Sequence, residues 1–197
     1  MSEAATTRWT RRLAGCAALT VAAFVQAPRW TSADTKLDLL VDPTRFLGRA
    51  LTLWEPLGAF GQLQNQAYGY LLPMGPFFAL GHLLGLPVWV VQRCWWACLL
   101  VTAFLGLVLL AERLDIGTEG SRILAGLAFA LSPRVLTELG GISVELWPTA
   151  VAPWVVLPLI GVPPGAERRA AARSGLAVAL AGGVNAIAAG AVLPLAV

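Results

Sequence analysis

The run VWVVQRCWWACLLVTAFLGLVLLA, residues 88–111, decides what kind of protein this is. It follows Pro87 and is apolar apart from Gln92, Thr102 and Arg93, and a helix needs about 20 consecutive, mostly apolar residues to cross a bilayer. We therefore predict a membrane-spanning helix over residues 87–111.

The composition of the whole chain agrees with this prediction. Of the 197 residues, 57% are hydrophobic and only 13% are charged, and the mean hydropathy is +0.72. Soluble domains average about 25% charged residues. The low charge excludes a disordered chain, three cysteines exclude a disulfide scaffold, and a net charge of +3 does not indicate nucleic-acid binding. We predict an all-α polytopic protein of the plasma membrane.

Further apolar runs on both sides of this helix predict more crossings. The stretch 70–86 leaves two alternatives open, since it could cross fully or dip in and return. A non-crossing stretch places the arginines of the 163–173 loop on the same side as those before the first run, as the positive-inside rule favours. We therefore predict five spans, with the N-terminus inside and 30–86 outside, near residues 13–29, 87–111, 123–137, 146–162 and 174–197.

The first extracytoplasmic loop, about residues 30–70, carries an amphipathic segment at 43–54. Asp42 suits the N-cap of a helix and Pro43 its first turn. Apolar residues recur at the spacing of one helical face. We predict an interfacial helix lying on the outer membrane surface, with an apolar face made of Phe46, Leu47, Ala50, Leu51 and Trp54.

Three carboxylates precede and cap this helix. Asp34 and Asp38 are four residues apart, so on a helix they would share one face, and Asp42 would extend the row. Such carboxylates could hold a divalent cation or accept a proton from a hydroxyl group. Lys36 between them could meet a phosphate. A solvated loop with a capping aspartate explains the same spacing, so both alternatives stay open.

Other polar residues in or between the apolar runs are candidates for binding. Arg93 near the start of the long helix could hold a lipid phosphate, or its side chain could extend to the interface beside Trp89, Trp95 and Trp96. Glu138 and Glu145 flank a Gly-Gly turn that our topology places outside. These two glutamates could contact a polar acceptor, although a solvated loop explains them as well.

Several motifs together resemble the N-terminal part of the actinobacterial arabinofuranosyltransferase family AftD. The first is ADTKLDL at 33–39, which continues through Asp42-Pro43 to Leu53-Trp54. The run Leu131-Ser132-Pro133-Arg134, the stretch from Glu138 to Gly141 and the pair Trp147-Pro148 are also similar. The resemblance covers nearly all 197 residues but only the start of a much longer family. We therefore expect a chain truncated at its C-terminus, where it ends inside an apolar run at Val197.

The resemblance implies the fold and activity of a GT-C membrane glycosyltransferase. Such an enzyme would transfer arabinofuranose from decaprenyl-phospho-arabinofuranose to cell-wall arabinan. It implies a functional aspartate in the first extracytoplasmic loop, a role that falls first on Asp34 and alternatively on Asp38. Lys36 or Arg93 would offset the charge of the leaving phosphate. The competing hypothesis is a non-enzymatic membrane scaffold or a transporter fragment, although we find no paired repeats typical of transporters.

Overall fold

The computed structural model describes residues 3–34, 36–56, 60–63, 67–183 and 190–196, and it is mostly helical. The α-helices are α1 Glu3–Phe24, α2 Leu37–Val41, α3 Pro43–Ala50, α4 Met74–Leu83, α5 Val88–Arg113, α6 Glu119–Ala130, α7 Pro133–Glu138, α8 Ser143–Val156 and α9 Glu167–Leu180. Short 3-10 helices cover Ala67–Leu71, Leu157–Leu159 and Leu193–Ala196, and two strands, β1 Trp54–Glu55 and β2 Gln62–Leu63, pair antiparallel. The two strands are the one departure from the predicted all-α class within these residues.

The long helix α5 lies at the centre of the fold. It covers the predicted run 87–111 to within two residues, and it packs against α1, α4, α6 and α8. Leu99, Phe104 and Val108 on this helix are completely buried. Among the described residues, α5 alone is both long enough and apolar enough to cross a membrane, with a mean hydropathy of 2.3 over its best window.

Ion pairs tie the first turns of α1 to the last turn of α5. Arg8 contacts Glu112 at 2.7 Å, and Arg12 contacts Glu112 at 2.9 Å and Glu119 at 3.3 Å. Arg113 at the end of α5 donates hydrogen bonds to the carbonyl of Ile160, after α8. The start of α1, the end of α5, the start of α6 and the end of α8 therefore meet at one end of the bundle, which we call the arginine end.

Four of the five predicted spans differ from the observed helices. The predicted span 13–29 begins and ends too late, since α1 runs from Glu3 to Phe24, and the predicted span 146–162 corresponds to α8, which ends at Val156. The predicted span 123–137 is broken, because α6 ends at Ala130 and α7 begins at Pro133. Ser132 is extended, with φ −60° and ψ 151°, as steric contact with a following proline requires. The predicted span 174–197 begins too late, since α9 already starts at Glu167. Residues 184–189 of that predicted span lie outside the described part of the chain.

The stretch 70–86, which could either cross the membrane or dip in and return, contains only short helices. The 3-10 helix Ala67–Leu71 is followed by α4, and ten helical residues extend about 15 Å. That is half the hydrocarbon thickness of a bilayer, about 30 Å. α4 packs on the first half of α5, where Phe77 contacts Trp95 with ring centroids 5.4 Å apart.

The start of the predicted interfacial helix is confirmed, and its end is wrong. Asp42 Oδ1 accepts a hydrogen bond from the backbone N–H of Arg45 at 3.0 Å, and Pro43 occupies the first turn of α3. The helix ends at Ala50 rather than at 54. Trp54 instead belongs to β1, opposite Leu63.

The apolar face of α3 also has a different partner from the one predicted. Phe46 is 4% exposed and contacts the ring of Tyr70 at 5.5 Å between centroids, and Ala50 is buried as well. This face packs on the protein because the 3-10 helix and α4 fold back over it. Leu51 and Trp54, beyond the helix, are exposed.

Candidate functional site

Asp34 lies in the turn between α1 and α2, and its side chain points into the protein. It is 1% exposed. The backbone N–H of Ser143 donates to Oδ1 at 2.7 Å, and the Ser143 hydroxyl donates to Oδ2 at 2.5 Å. The indole N–H of Trp96 lies 3.5 Å from the same Oδ2. The residue has φ +39°, a left-handed conformation that aspartate tolerates better than most residues.

The Asp34 carboxylate caps the N-terminus of α8, whose first residue is Ser143. The first N–H groups of a helix have no partner within it, and its dipole favours a negative charge there. Burial raises the pKa of Asp34, while the hydrogen bonds from Ser143 and Trp96 act in the opposite direction. Asp34 therefore joins the first loop to a helix more than a hundred residues later in the chain.

Two consecutive residues of α5 hold the loop that leads to Asp34. Gln92 accepts from the backbone N–H of Ser32 at 3.0 Å and donates to its carbonyl at 2.9 Å. Arg93 donates from Nη2 to the carbonyl of Trp30 at 3.0 Å. The side-chain amide of Gln92 therefore satisfies both the backbone N–H and the backbone carbonyl of Ser32, as the backbone of a paired β-strand would.

Arg93 does not extend to an interface, and the predicted aromatic belt around it is wrong for Trp95 and Trp96. Arg93 is 1% exposed, with its guanidinium 4.3 Å from the ring centroid of Trp96. Its Nε and Nη1 have no hydrogen-bond partner among the described residues. Trp95 is buried and stacks on Trp147 at 4.9 Å. The guanidinium of Arg93 is therefore buried against the Trp96 ring and the carbonyl of Trp30.

Asp38 and Lys36 lie on the open side of the same loop. Asp38 has 49% of its side chain exposed and forms an ion pair with Arg49 at 2.5 Å. Both Asp38 and Lys36 line a cavity of about 180 Å³, together with Phe46, Arg49, Glu55, Gln62 and Ala67. Among the described residues, the Asp38 side chain is therefore accessible at this cavity, whereas that of Asp34 is buried.

The predicted row of three carboxylates on one helical face is wrong. Asp34 precedes α2 and points to Ser143, Asp38 belongs to α2 and points to Arg49, and Asp42 caps α3. The chain turns between these residues, so four-residue spacing does not place them side by side. No group of three or more His, Cys, Asp or Glu side chains that could hold a metal occurs within the described ranges.

The two predicted acceptor-side glutamates lie away from the cavity. Glu138 in α7 contacts Arg134 one turn earlier, at 3.6 Å. Glu145 is half-buried in the first turn of α8, two residues after Ser143. Neither lines the cavity beside Asp38.

Sequence reasoning missed Gln92, Trp96 and Ser143. Gln92 could have been found from the sequence, since an amide next to an arginine in a long apolar run needs a polar partner when it is buried. Trp96 looked like an interfacial residue because its neighbours are aromatic. Ser143 carried no signal, since a serine after a Gly-Gly turn is ordinary.

Comparison with known proteins places these features in a family. Residues 18–197 match the family described as alpha-(1->3)-arabinofuranosyltransferase, N-terminal GT-C domain. Two curated relatives carry the name alpha-(1->3)-arabinofuranosyltransferase. The one from Mycobacterium tuberculosis is 57% identical over 169 residues, which is 84% of this chain, and the one from Mycolicibacterium smegmatis is 56% identical over 174 residues, which is 87%. The matched region is 12% of the length of each relative.

Solved structures agree with the sequence comparison. The cryo-EM structure of arabinofuranosyltransferase AftD from mycobacteria matches this chain with a TM-score of 0.90 and 54% identity, over 100% of this chain and 15% of that one. A mutant of that protein matches with a TM-score of 0.89 and the same identity, over 98% of this chain and 15% of that one. From its sequence and its fold, the chain belongs to the AftD family of arabinofuranosyltransferases, and its residues 18–197 match the family's N-terminal GT-C domain.

Proposed function

We propose that this chain takes part in transferring arabinofuranose from decaprenyl-phospho-arabinofuranose to an arabinan acceptor. The activity is carried over from relatives that are much longer than this chain. Their common name describes an arabinofuranosyltransferase. The donor, a polyprenyl phosphate, is expected to be presented at a membrane surface.

We further propose that the chain is a multi-pass protein of the plasma membrane, with residues 1–197 forming the N-terminal transmembrane part of the domain. Successive helices alternate in direction, since α1 and α5 meet at the arginine end while Asp34 and Ser143 meet at the opposite end. Arg168, Arg169 and Arg173 follow α8, whose end lies beside Arg113. Arginines gathered at one end support a cytoplasmic position for that end. Asp38 would then face outward.

The observation that carries the site proposal is that Asp38, Lys36 and Arg49 share one open cavity. A general base must come within hydrogen-bond distance of the proton that it takes. The Asp38 carboxylate lines the cavity that would admit the acceptor, and its ion pair with Arg49 would orient it. Asp34, although first in sequence, has both oxygens hydrogen-bonded and is enclosed, so its geometry fits a positioning role.

The proposed reaction is a single nucleophilic displacement at the anomeric carbon of the donor sugar. The acceptor hydroxyl oxygen attacks the anomeric carbon, and the bond from that carbon to the phosphate oxygen breaks. Asp38 takes the hydroxyl proton, and decaprenyl phosphate leaves with the bonding electrons. Lys36 offsets the charge that develops on this phosphate. Arg93 could assist only if the Trp30 loop moved. Glu138 and Glu145, which do not line the cavity, would contact only an acceptor that extends beyond it.

The test uses a chimera in which this chain replaces the matching segment of the Mycolicibacterium smegmatis relative. Transfer from radiolabelled decaprenyl-phospho-arabinofuranose is measured in membranes. Asp38→Asn should lower transfer by about 10²–10⁴-fold, the usual effect of removing a general base, with unchanged membrane insertion. Asp115→Asn, an exposed aspartate in a different loop, is the matched control and should leave transfer unchanged.

The outcomes separate the competing assignments. Loss of transfer in a well-folded Asp34→Asn chimera, with Asp38→Asn active, would make Asp34 the base. Full activity of both variants would overturn the site. An inactive parent chimera that inserts normally would favour the scaffold hypothesis for this chain.

A further inference from the structure

Three cavities meet at the arginine end of the bundle, opposite the proposed transfer site. One of about 690 Å³ lies between the last turns of α5 and the 3-10 helix after α8. A second, of about 440 Å³, runs between α5, α8 and α9, and a third of about 110 Å³ adjoins the loop before α9. All three are lined by Pro158 and Arg173, so they adjoin one another, and we refer to them together as the groove.

The mouth of this groove, which we define by Arg113, Arg169 and Arg173, is positively charged. Arg113 and Arg173 line the largest cavity, and Arg169 lines the smallest. Within the described ranges these three arginines form no ion pair with a carboxylate. Among the described residues that line the three cavities, Glu112 is the one acid, and Arg8 and Arg12 already form ion pairs with it. Arg113 is held in place by the carbonyls of Ile160 and Gly161, so its charge is fixed at the mouth.

The second cavity of the groove, between α5, α8 and α9, is mostly apolar. Trp147, Val151, Trp154, Leu176 and Leu180 form most of its wall. The indole N–H of Trp147 donates to the carbonyl of Leu180, and that of Trp154 to the carbonyl of Thr102. Because both indole donors are satisfied within the protein, the wall offers hydrocarbon surface rather than hydrogen bonds.

We propose that this groove binds one anionic phospholipid. Its phosphate lies between Arg113, Arg169 and Arg173, and one acyl chain extends along Trp154 and Leu176. A basic pocket between helices at the end of a membrane bundle, adjoining an apolar groove, matches the two parts of a lipid in charge and polarity. The inference rests on the proposed membrane placement but not on the transfer activity.

The test reconstitutes the chain in phosphatidylcholine nanodiscs that contain a minority of phosphatidylglycerol with a photoreactive acyl chain. After irradiation, cross-linked positions are mapped by mass spectrometry. A parallel sample carries the photoreactive group on phosphatidylcholine instead. We expect phosphatidylglycerol to label Leu176 and its groove neighbours at least fivefold more than phosphatidylcholine does, because a single arginine near an anionic lipid already supplies a preference of about fivefold.

Two single variants distinguish the site from general charge attraction. Arg173→Gln should remove most of the preference for phosphatidylglycerol. Arg168→Gln removes the same charge from the same helix, but Arg168 lines none of the three cavities, so the preference should persist. Equal effects of the two variants, or equal labelling by the two lipids, would overturn the proposal.

The remaining outcomes identify other occupants and separate this inference from the membrane placement. Labelling of exposed Leu13 and Val21 on α1 but not of the groove would show that lipid does not enter it. Groove labelling that disappears in the chimera would show that another part of the longer protein fills it. An absence of labelling everywhere would overturn the membrane placement together with the lipid site, whereas loss of arabinose transfer alone would leave both standing.

Discussion

At the scale of single residues, Asp34 links the first loop to the start of α8. Its carboxylate receives three hydrogen bonds from side chains and backbone that come together only in the folded chain. Asp34→Asn replaces one acceptor oxygen with a donor that faces Ser143. We expect the free energy of unfolding to fall by about 1–3 kcal/mol, the cost of an unsatisfied buried group.

Denaturant titration of the chain in detergent micelles measures this loss. Asp115→Asn is the matched control, because Asp115 also has a positive φ, +53°, but its side chain is fully exposed. The control should change little. A similar loss for both variants would mean that the backbone conformation matters rather than the buried carboxylate.

The pH dependence of stability follows from the pKa of the same residue. Burial raises the pKa of folded Asp34 above its unfolded value near 4. The folded state therefore binds the proton more tightly, and stability from this group is complete below about pH 4 and is lost as the pH rises through the folded pKa. The stability advantage of the wild type over Asp34→Asn should shrink as the pH rises above about 4. An advantage that grows over this range would contradict the raised pKa.

At the scale of elements, the N-cap of α3 has a defined chemistry. The backbone N–H of Arg45 donates to Asp42, and this hydrogen bond lowers the pKa of Asp42. Asp42→Ala removes the acceptor and should speed hydrogen exchange of the Arg45 and Phe46 amides, while Asp42→Asn keeps an acceptor and should have a smaller effect. Equal exchange in the two variants would exclude capping as the cause.

The docking of α1 on the rest of the bundle depends on one buried arginine. Arg12 is 3% exposed and contacts Glu112 and Glu119, which belong to two different helices. Arg12→Gln should lower the free energy of unfolding by about 2–3 kcal/mol, because charged hydrogen bonds are lost in a partly buried site. Arg11→Gln is the control, since Arg11 is adjacent and exposed. Equal losses in detergent unfolding would contradict a specific role for Arg12.

At the scale of the whole molecule, the proposed topology places α3 and the loop before α9 on opposite sides of the membrane. Thr44 and Pro164 are exposed, so cysteines at these two positions can report on the two sides. In a background without Cys16, Cys94 and Cys98, Thr44→Cys should react with an impermeant reagent in intact cells. Pro164→Cys should react only after permeabilisation, and labelling of both from one side would refute the topology.

The sequence alone determined the features that depend on local composition. The apolar run around α5 predicted that helix to within two residues, because length and hydropathy are properties of a continuous segment. The Asp42-Pro43 pair predicted the start of α3, because capping involves neighbouring residues. The motifs around residues 33–39 indicated the family, which the comparisons confirmed.

The tertiary structure alone decided where the polar residues point. Spacing suggested one row for Asp34, Asp38 and Asp42, but a turn after Asp34 sends its carboxylate to Ser143, 109 residues away. Tyr70 covers Phe46, so the face expected to lie on lipid is a protein contact. Periodicity reports which face of a helix is apolar, whereas the partner of that face depends on contacts between distant segments, which form only when the chain has folded.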